Sequence, residues 1–165
     1  MGIVRDALEN SEHAENTIVI FVGDHGWMLG EKQHWGKYRH YDQASRTTMI
    51  IYAPDAAGNG RRAEQAVSLL DVYPTLATLA GLDPPGHLEG NSLLDLLENP
   101  RDAAWNKPVT IRLNGIDVIK SNDWRYVRSG EKSQLYDMAN DPYEWTNLYG
   151  DPNYHDLIQE LEAQL

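Results

Sequence analysis

The chain has 165 residues, with 14 Lys plus Arg against 25 Asp plus Glu and a formal charge of −11. That length supports one ordinary core, and the acidic balance excludes nonspecific attraction to nucleic-acid phosphate or anionic lipid. Cysteine is absent, so disulfide scaffolds, thiolate zinc sites and a cysteine nucleophile are excluded on this chain.

In chain order, Ile3, Val4, Ala7 and Leu8 recur at the spacing of one helix face and predict a short amphipathic helix. Residues 17–22, Thr-Ile-Val-Ile-Phe-Val, form a β-branched, non-alternating run, the pattern of a strand buried on both faces of a parallel sheet. This run is also the longest apolar stretch, far short of the roughly 20 residues of a membrane span, so no membrane partner is expected. Gly23-Asp24-His25-Gly26 ends the strand. Residues 48–52 repeat the strand pattern and are closed by Ala53-Pro54-Asp55.

Residues 71–79 predict a helix with Asp71 as N-cap and Pro74 tolerated in its first turn. Residues 92–97 predict a second, capped by Asn91 or Ser92. Four strand-like pieces follow, residues 109–113, 116–120, 124–128 and 134–138, separated by Asn114-Gly115, Asn122-Asp123 and Ser129-Gly130; that rhythm predicts an antiparallel meander. Residues 154–165 predict a last helix with Leu157, Ile158, Leu161 and Leu165 on one stripe. The acid-rich stretch beyond Lys132 reads as a solvated face. The expected fold class is α/β: a partial mixed, mainly parallel sheet with flanking helices over residues 1–104, then a small antiparallel sheet and a C-terminal helix over residues 105–165.

The densest polar cluster is Gly23-Asp24-His25-Gly26-Trp27-Met28-Leu29-Gly30-Glu31, followed by His34-Trp35-Gly36-Lys37. Open parallel sheets place ligands at the carboxyl ends of their strands, where Asp24 and His25 fall. A carboxylate and an imidazole are competent metal ligands; aspartate favours calcium or magnesium, and histidine widens the choice to manganese or zinc. Taken alone, the dipeptide reads first as a turn in which Asp24 caps the next segment and His25 packs neutrally, and Lys37 as a surface lysine. Asp42 and Arg46, at i and i+4, predict a helix-face ion pair. Gly58-x-Gly60-x-x-Ala63 formally matches a dinucleotide fingerprint, but Pro54 and Asp55 separate it from its strand, so it reads as a flexible turn. Trp27 and Trp35 read as core residues or as walls of a site.

The stretch Asp-His-Gly-Trp-x-Leu-Gly-Glu followed by Trp-x-Lys resembles the second metal-binding segment of sulfatases, in the alkaline phosphatase superfamily, most closely the iduronate-2-sulfatase-like and choline-sulfatase-like members. The order is kept by Arg46 ahead of Thr48-Met49-Ile50-Ile51-Tyr52-Ala53-Pro54, by Ser68-Leu69-Leu70-Asp71-Val72-Tyr73-Pro74-Thr75-Leu76, and by Gly90-Asn91-Ser92-Leu93. Trp124-Arg125-Tyr126-Val127 and Leu135-Tyr136-Asp137-Met138-x-x-Asp141-Pro142-x-Glu144-x-Thr146-Asn147-Leu148 are similar to that family's C-terminal strands.

The resemblance implies that residues 1–104 are the C-terminal part of a catalytic domain and residues 105–165 a small subdomain. It implies that Asp24 and His25 ligate a divalent cation, usually calcium, and that Lys37 donates to the sulfate being transferred; His34 and Arg39, close to Lys37 in sequence, are expected at the substrate pocket. Sulfate esters are the implied substrates. The family nucleophile is a formylglycine made from a Cys/Ser-x-Pro-x-Arg motif, and this sequence has neither that motif nor the earlier acidic pair of the metal site. The chain is therefore expected to carry half of a sulfatase site, to be inactive alone, and to self-associate or pair with a missing N-terminal part. Bacterial sulfatases are often exported, which implies a periplasmic or secreted parent. Two other readings are a phosphodiesterase or phosphonate hydrolase fragment of the same superfamily and a noncatalytic binding module.

Overall fold

The computed structural model describes residues 2–101 and 104–165. In chain order it contains α1 (Gly2–Glu9), β1 (Val19–Val22), β2 (Met28–Leu29), β3 (Trp35–Gly36), α2 (Asp42–Ser45), β4 (Met49–Tyr52), α3 (Val72–Leu79), α4 (Leu94–Glu98), β5 (Val109–Leu113), β6 (Ile116–Lys120), β7 (Trp124–Arg128), β8 (Gln134–Asp137) and α5 (His155–Glu162). The chain divides into two units, Met1–Val22 with Thr48–Ala63 and Leu70–Asp102, and Gly23–Thr47 with Glu64–Leu69 and Ala103–Leu165. None of the helices described is long and apolar enough to cross a membrane.

In the first unit the two apolar runs become β1 and β4, which pair antiparallel with Phe21 opposite Ile50 and Val22 opposite Met49. The mainly parallel sheet expected from these runs is thereby corrected for this chain. An unbroken β-branched run reports that both faces suit apolar neighbours, and carries no information on strand direction. No residue of either strand is fully buried; Phe21 is 41% and Ile50 58% exposed. The helix at the N-terminus forms as α1, yet Ile3 and Val4 of its apolar stripe stay exposed and only Leu8 is partly buried.

Asp71 stands at the N-terminus of α3 but makes no side-chain cap bond there. Its buried carboxylate instead accepts the Asn91 N–H at 2.7 Å, while Thr75 Oγ1 accepts the Leu93 N–H at 2.9 Å. Both bonds satisfy backbone donors ahead of α4, which would otherwise be orphaned. The side chain predicted as a local cap is therefore a tertiary fastener.

The second unit holds the meander, β5-β6-β7-β8, antiparallel throughout. Asn114 (φ 51°) and Gly115 (φ 79°) both occupy the left-handed region, as a two-residue hairpin turn between β5 and β6 requires. Helix α5 lays Ile158 and Leu161 on Ile119, Tyr126 and Leu135 of the sheet, with Leu157 and Leu165 at the margin of that cluster. This is the stripe expected from the sequence, and it forms the unit's core.

Candidate active site

Four residues, Gly23-Asp24-His25-Gly26, lead from β1 toward β2. The Gly26 N–H donates to Ala44 O at 3.0 Å, and a Cβ on Gly26 would collide with the carbonyl oxygens of Gln43 and Arg46. Glycine is what lets this turn lie against α2. Strands β2 and β3 then form a short hairpin with Met28 opposite Gly36 and Leu29 opposite Trp35. Extending that register by one residue sets Trp27 level with Lys37, so the hairpin returns Lys37 to the turn that carries His25.

The consequence is a three-residue cluster. Lys37 Nζ lies 2.8 Å from His25 Nε2, and Asp24 Oδ2 lies 3.2 Å from the same nitrogen. His25 Nδ1 is 2.7 Å from the carbonyl oxygen of Gly26. A carbonyl only accepts, so Nδ1 donates to Gly26 O, while Nε2 faces both the Lys37 ammonium and the Asp24 carboxylate. The Asp24 side chain is 84% exposed and that of His25 29%, which leaves the carboxylate open to solvent and to ions. Asp24 Oδ1 also accepts the His25 N–H at 3.1 Å, fixing the carboxylate over the turn. Trp27 borders the cluster, its ring 6.1 Å from that of His25, while Trp35 is exposed and packs beside Gly30. His34 stacks on Tyr41, ring centroids 6.1 Å apart.

Asp24 and His25, adjacent on one turn, could offer a cation two of the roughly six to eight ligands that a hard ion takes. Among the described residues no group of three or more His, Cys, Asp or Glu side chains could hold a metal ion. Asp24 and His25 would leave a hard cation largely hydrated.

A second polar assembly, which the sequence did not single out, lies within the same unit. Arg125 and Glu144 are fully buried, with Arg125 Nε 3.0 Å from Glu144 Oε1. Arg125 Nη1 is 3.6 Å from Asp42 Oδ1, and Nη2 donates to His40 O and, at 3.1 Å, to Ser45 Oγ. Glu144 Oε2 accepts the Asp42 N–H at 3.0 Å. Burial pushes the Glu144 carboxyl up, and the Arg125 guanidinium beside it opposes that rise. The predicted Asp42–Arg46 pair is present at 3.2 Å, but its carboxylate is buried and shared with Arg125. Glu144 thus departs from the solvated acidic face expected beyond Lys132. The available signal was its place in Asp141-Pro142-x-Glu144, two residues past a proline turn and away from any helix where a charge would be free to solvate.

Comparison with known families matches residues 30–165 to the model described as N-sulphoglucosamine sulphohydrolase, C-terminal. The chain belongs to this sulfatase family. A sulfatase of Formosa agariphila is 30% identical across 100% of this chain and 32% of its own length. Iduronate 2-sulfatase of Mus musculus is 30% identical across 98% of this chain and 43% of its own length. The chain therefore spans roughly a third to two fifths of these relatives.

Solved structures agree in fold. A protein in complex with its substrate D-glucosamine-2-N,6-O-disulfate superposes with a TM-score of 0.81 at 27% identity, over 99% of this chain and 36% of that one. The phosphonate monoester hydrolase of Agrobacterium radiobacter superposes with a TM-score of 0.83 at 28% identity, over 99% of this chain and 37% of that one.

Proposed function

We propose that this sulfatase chain supplies half of a divalent-cation and sulfate site for sulfate-ester hydrolysis, with Asp24 and His25 as cation ligands and Lys37 as a hydrogen-bond donor to the sulfate being transferred. The observation that supports it most is the approach of both the Asp24 carboxylate and the Lys37 ammonium to His25 Nε2. A bound cation, calcium by the family pattern, would stabilise charge growing on the sulfuryl oxygens and the leaving oxygen. Lys37 donates to the same lone pair that a cation would use. Once that lone pair is taken, the ammonium is free for a sulfate oxygen, and its compact charge suits the task. Gly26 O holds the proton on Nδ1, so His25 keeps Nε2 available. His34 would line the substrate side from the loop between the strands, oriented by Tyr41.

In this reading the formylglycine nucleophile and the remaining cation ligands belong to the part of a sulfatase that this chain does not match, and the chain alone is inactive. The mainly parallel catalytic sheet belongs to that part too. A second reading, the hydrolysis of phosphonate or phosphate esters, is supported by the likeness to the phosphonate monoester hydrolase, because phosphate and sulfate present the same tetrahedral oxygens to a lysine.

The test is a sulfate titration of the calcium-loaded chain followed by NMR. Sulfate should perturb the Lys37 side chain, and Lys37→Met should abolish that response while calcium binding persists. Sulfate binding that is unchanged in Lys37→Met would overturn the assignment, and a clear preference for phosphate would favour the second reading.

A further inference from the structure

Between β2 and β3 the chain adopts a costly conformation. Lys32 (φ 51°, ψ 28°) and Gln33 (φ 61°) are consecutive non-glycine residues in the left-handed region. Such backbone persists only when its surroundings over-determine it. Within the loop, Glu31 Oε2 accepts the Leu29 N–H at 2.6 Å and His34 O accepts the Gly30 N–H at 3.0 Å. These bonds close the loop but give no reason for the Lys32 side chain to point where it does.

That reason comes from the other end of the chain. Lys32 Nζ donates to the backbone carbonyl of Glu144. It lies 4.9 Å from the ring centroid of Tyr41, 5.6 Å from that of Tyr136 and 5.1 Å from that of Trp145, so three aromatic faces and one carbonyl enclose the ammonium. Enclosure of this kind replaces hydration by ring quadrupoles, and a partly desolvated cation gains most from it. Glu144, itself at φ 58°, thus holds this region twice: its carbonyl takes Lys32, and its carboxylate takes the Asp42 N–H and faces Arg125.

The cage grips the tip of the hairpin whose far strand ends at Gly36, immediately before Lys37. We infer that Lys32 is a positioning residue for Lys37, clamped by Tyr41, Tyr136, Trp145 and the Glu144 carbonyl so that the β2–β3 hairpin holds the Lys37 ammonium against His25. The functional weight of this clamp rests on the sulfate-site reading above; the clamp itself does not. The C-terminal segment then serves the site through Lys32, without touching the reacting groups.

The experiment uses the full chain, labelled for NMR, with Lys32→Met, Lys32→Arg and Trp145→Ala. Met preserves the aliphatic bulk and removes the charge. Trp145 is 69% exposed, so Trp145→Ala opens the cage from outside without excavating the core. The readouts are the cross-relaxation between the Lys37 side chain and the His25 ring and the exchange rates of the Leu29, Gly30 and His34 amides. Lys32→Met and Trp145→Ala should abolish the Lys37–His25 signal and speed those amides by on the order of tenfold, leaving β5–β8 unchanged. Lys32→Arg should restore both. A wild-type Lys37–His25 signal in Lys32→Met, or equal acceleration of hairpin and sheet amides, would overturn the inference. Calcium titration of the wild-type chain tests the other reading separately: failure to bind would remove the cation assignment, while the cross-relaxation still decides the role of Lys32.

Discussion

Lys37 Nζ and Asp24 Oδ2 both approach His25 Nε2, at 2.8 and 3.2 Å, so one imidazole nitrogen stands between an ammonium and a carboxylate. The ammonium already occupies the place that a cation would want.

Activity of the isolated chain is the first consequence. Purified protein should hydrolyse 4-nitrophenyl sulfate at the background rate with or without calcium. Turnover that disappears in Asp24→Ala would show that another nucleophile operates.

Stability should depend heavily on the Arg125 assembly. Arg125→Met leaves Glu144 buried beside uncompensated dipoles and should lower unfolding free energy by about 3 to 5 kcal/mol in urea titrations. Adding Glu144→Gln to that variant should recover part of the loss, because the orphaned charge is gone. Equal stability of the single and double variants would show that Glu144 is already neutral once Arg125 is gone.

Acidification should weaken the fold through His40. Burial holds the His40 imidazole below its ordinary range, with Arg125, His34 and Arg39 adding to the depression and the Gln134 contact at 3.2 Å opposing it. The folded protein therefore binds this proton less readily than the unfolded chain. The contribution is fully present above about pH 6.5 and is lost as pH falls below it. His40→Gln should flatten the slope of Tm between pH 7 and pH 5.5; an unchanged slope would assign that loss to other groups.

Self-association should run through the β1–β4 ladder. Phe21 and Ile50 sit directly opposite each other, and with Tyr52, 43% exposed, they form an apolar strip on one face of a two-stranded sheet. Light scattering should report oligomers that rise with concentration, and Ile50→Lys should shift them toward monomer. Strictly monomeric wild-type protein at high concentration would contradict this.

Legibility of the sequence followed the reach of its interactions. The meander and α5 were legible because local signals agree: Asn114-Gly115 dictates a tight turn, and Leu157, Ile158 and Leu161 keep helical spacing. Strand direction at β1 and β4 was illegible, since β-branched runs suit either pairing. Asp71 and Glu144 were misjudged for one reason, namely that their partners, Asn91 for the first and Asp42 and Arg125 for the second, are distant in sequence. The Asp24, His25 and Lys37 set came from resemblance to sulfatases; composition and periodicity alone left Lys37 a surface residue. Lys32 gave no signal, because a caged lysine and a solvated one look alike in sequence.

The most direct test of the half-site is thermal unfolding with and without calcium in the wild-type chain and Asp24→Asn. At about ten times Kd a single site contributes roughly 1.4 kcal/mol, which for a chain of this size raises Tm by about 3 to 6 °C. The account predicts that rise in the wild type, its loss in Asp24→Asn, and nearly equal Tm for the two proteins without calcium, because the Asp24 carboxylate is 84% exposed and the asparagine Oδ1 can keep the bond to the His25 N–H. A calcium-independent wild type whose Asp24→Asn variant melts several degrees lower would contradict it, and would make Asp24 a structural cap of the turn.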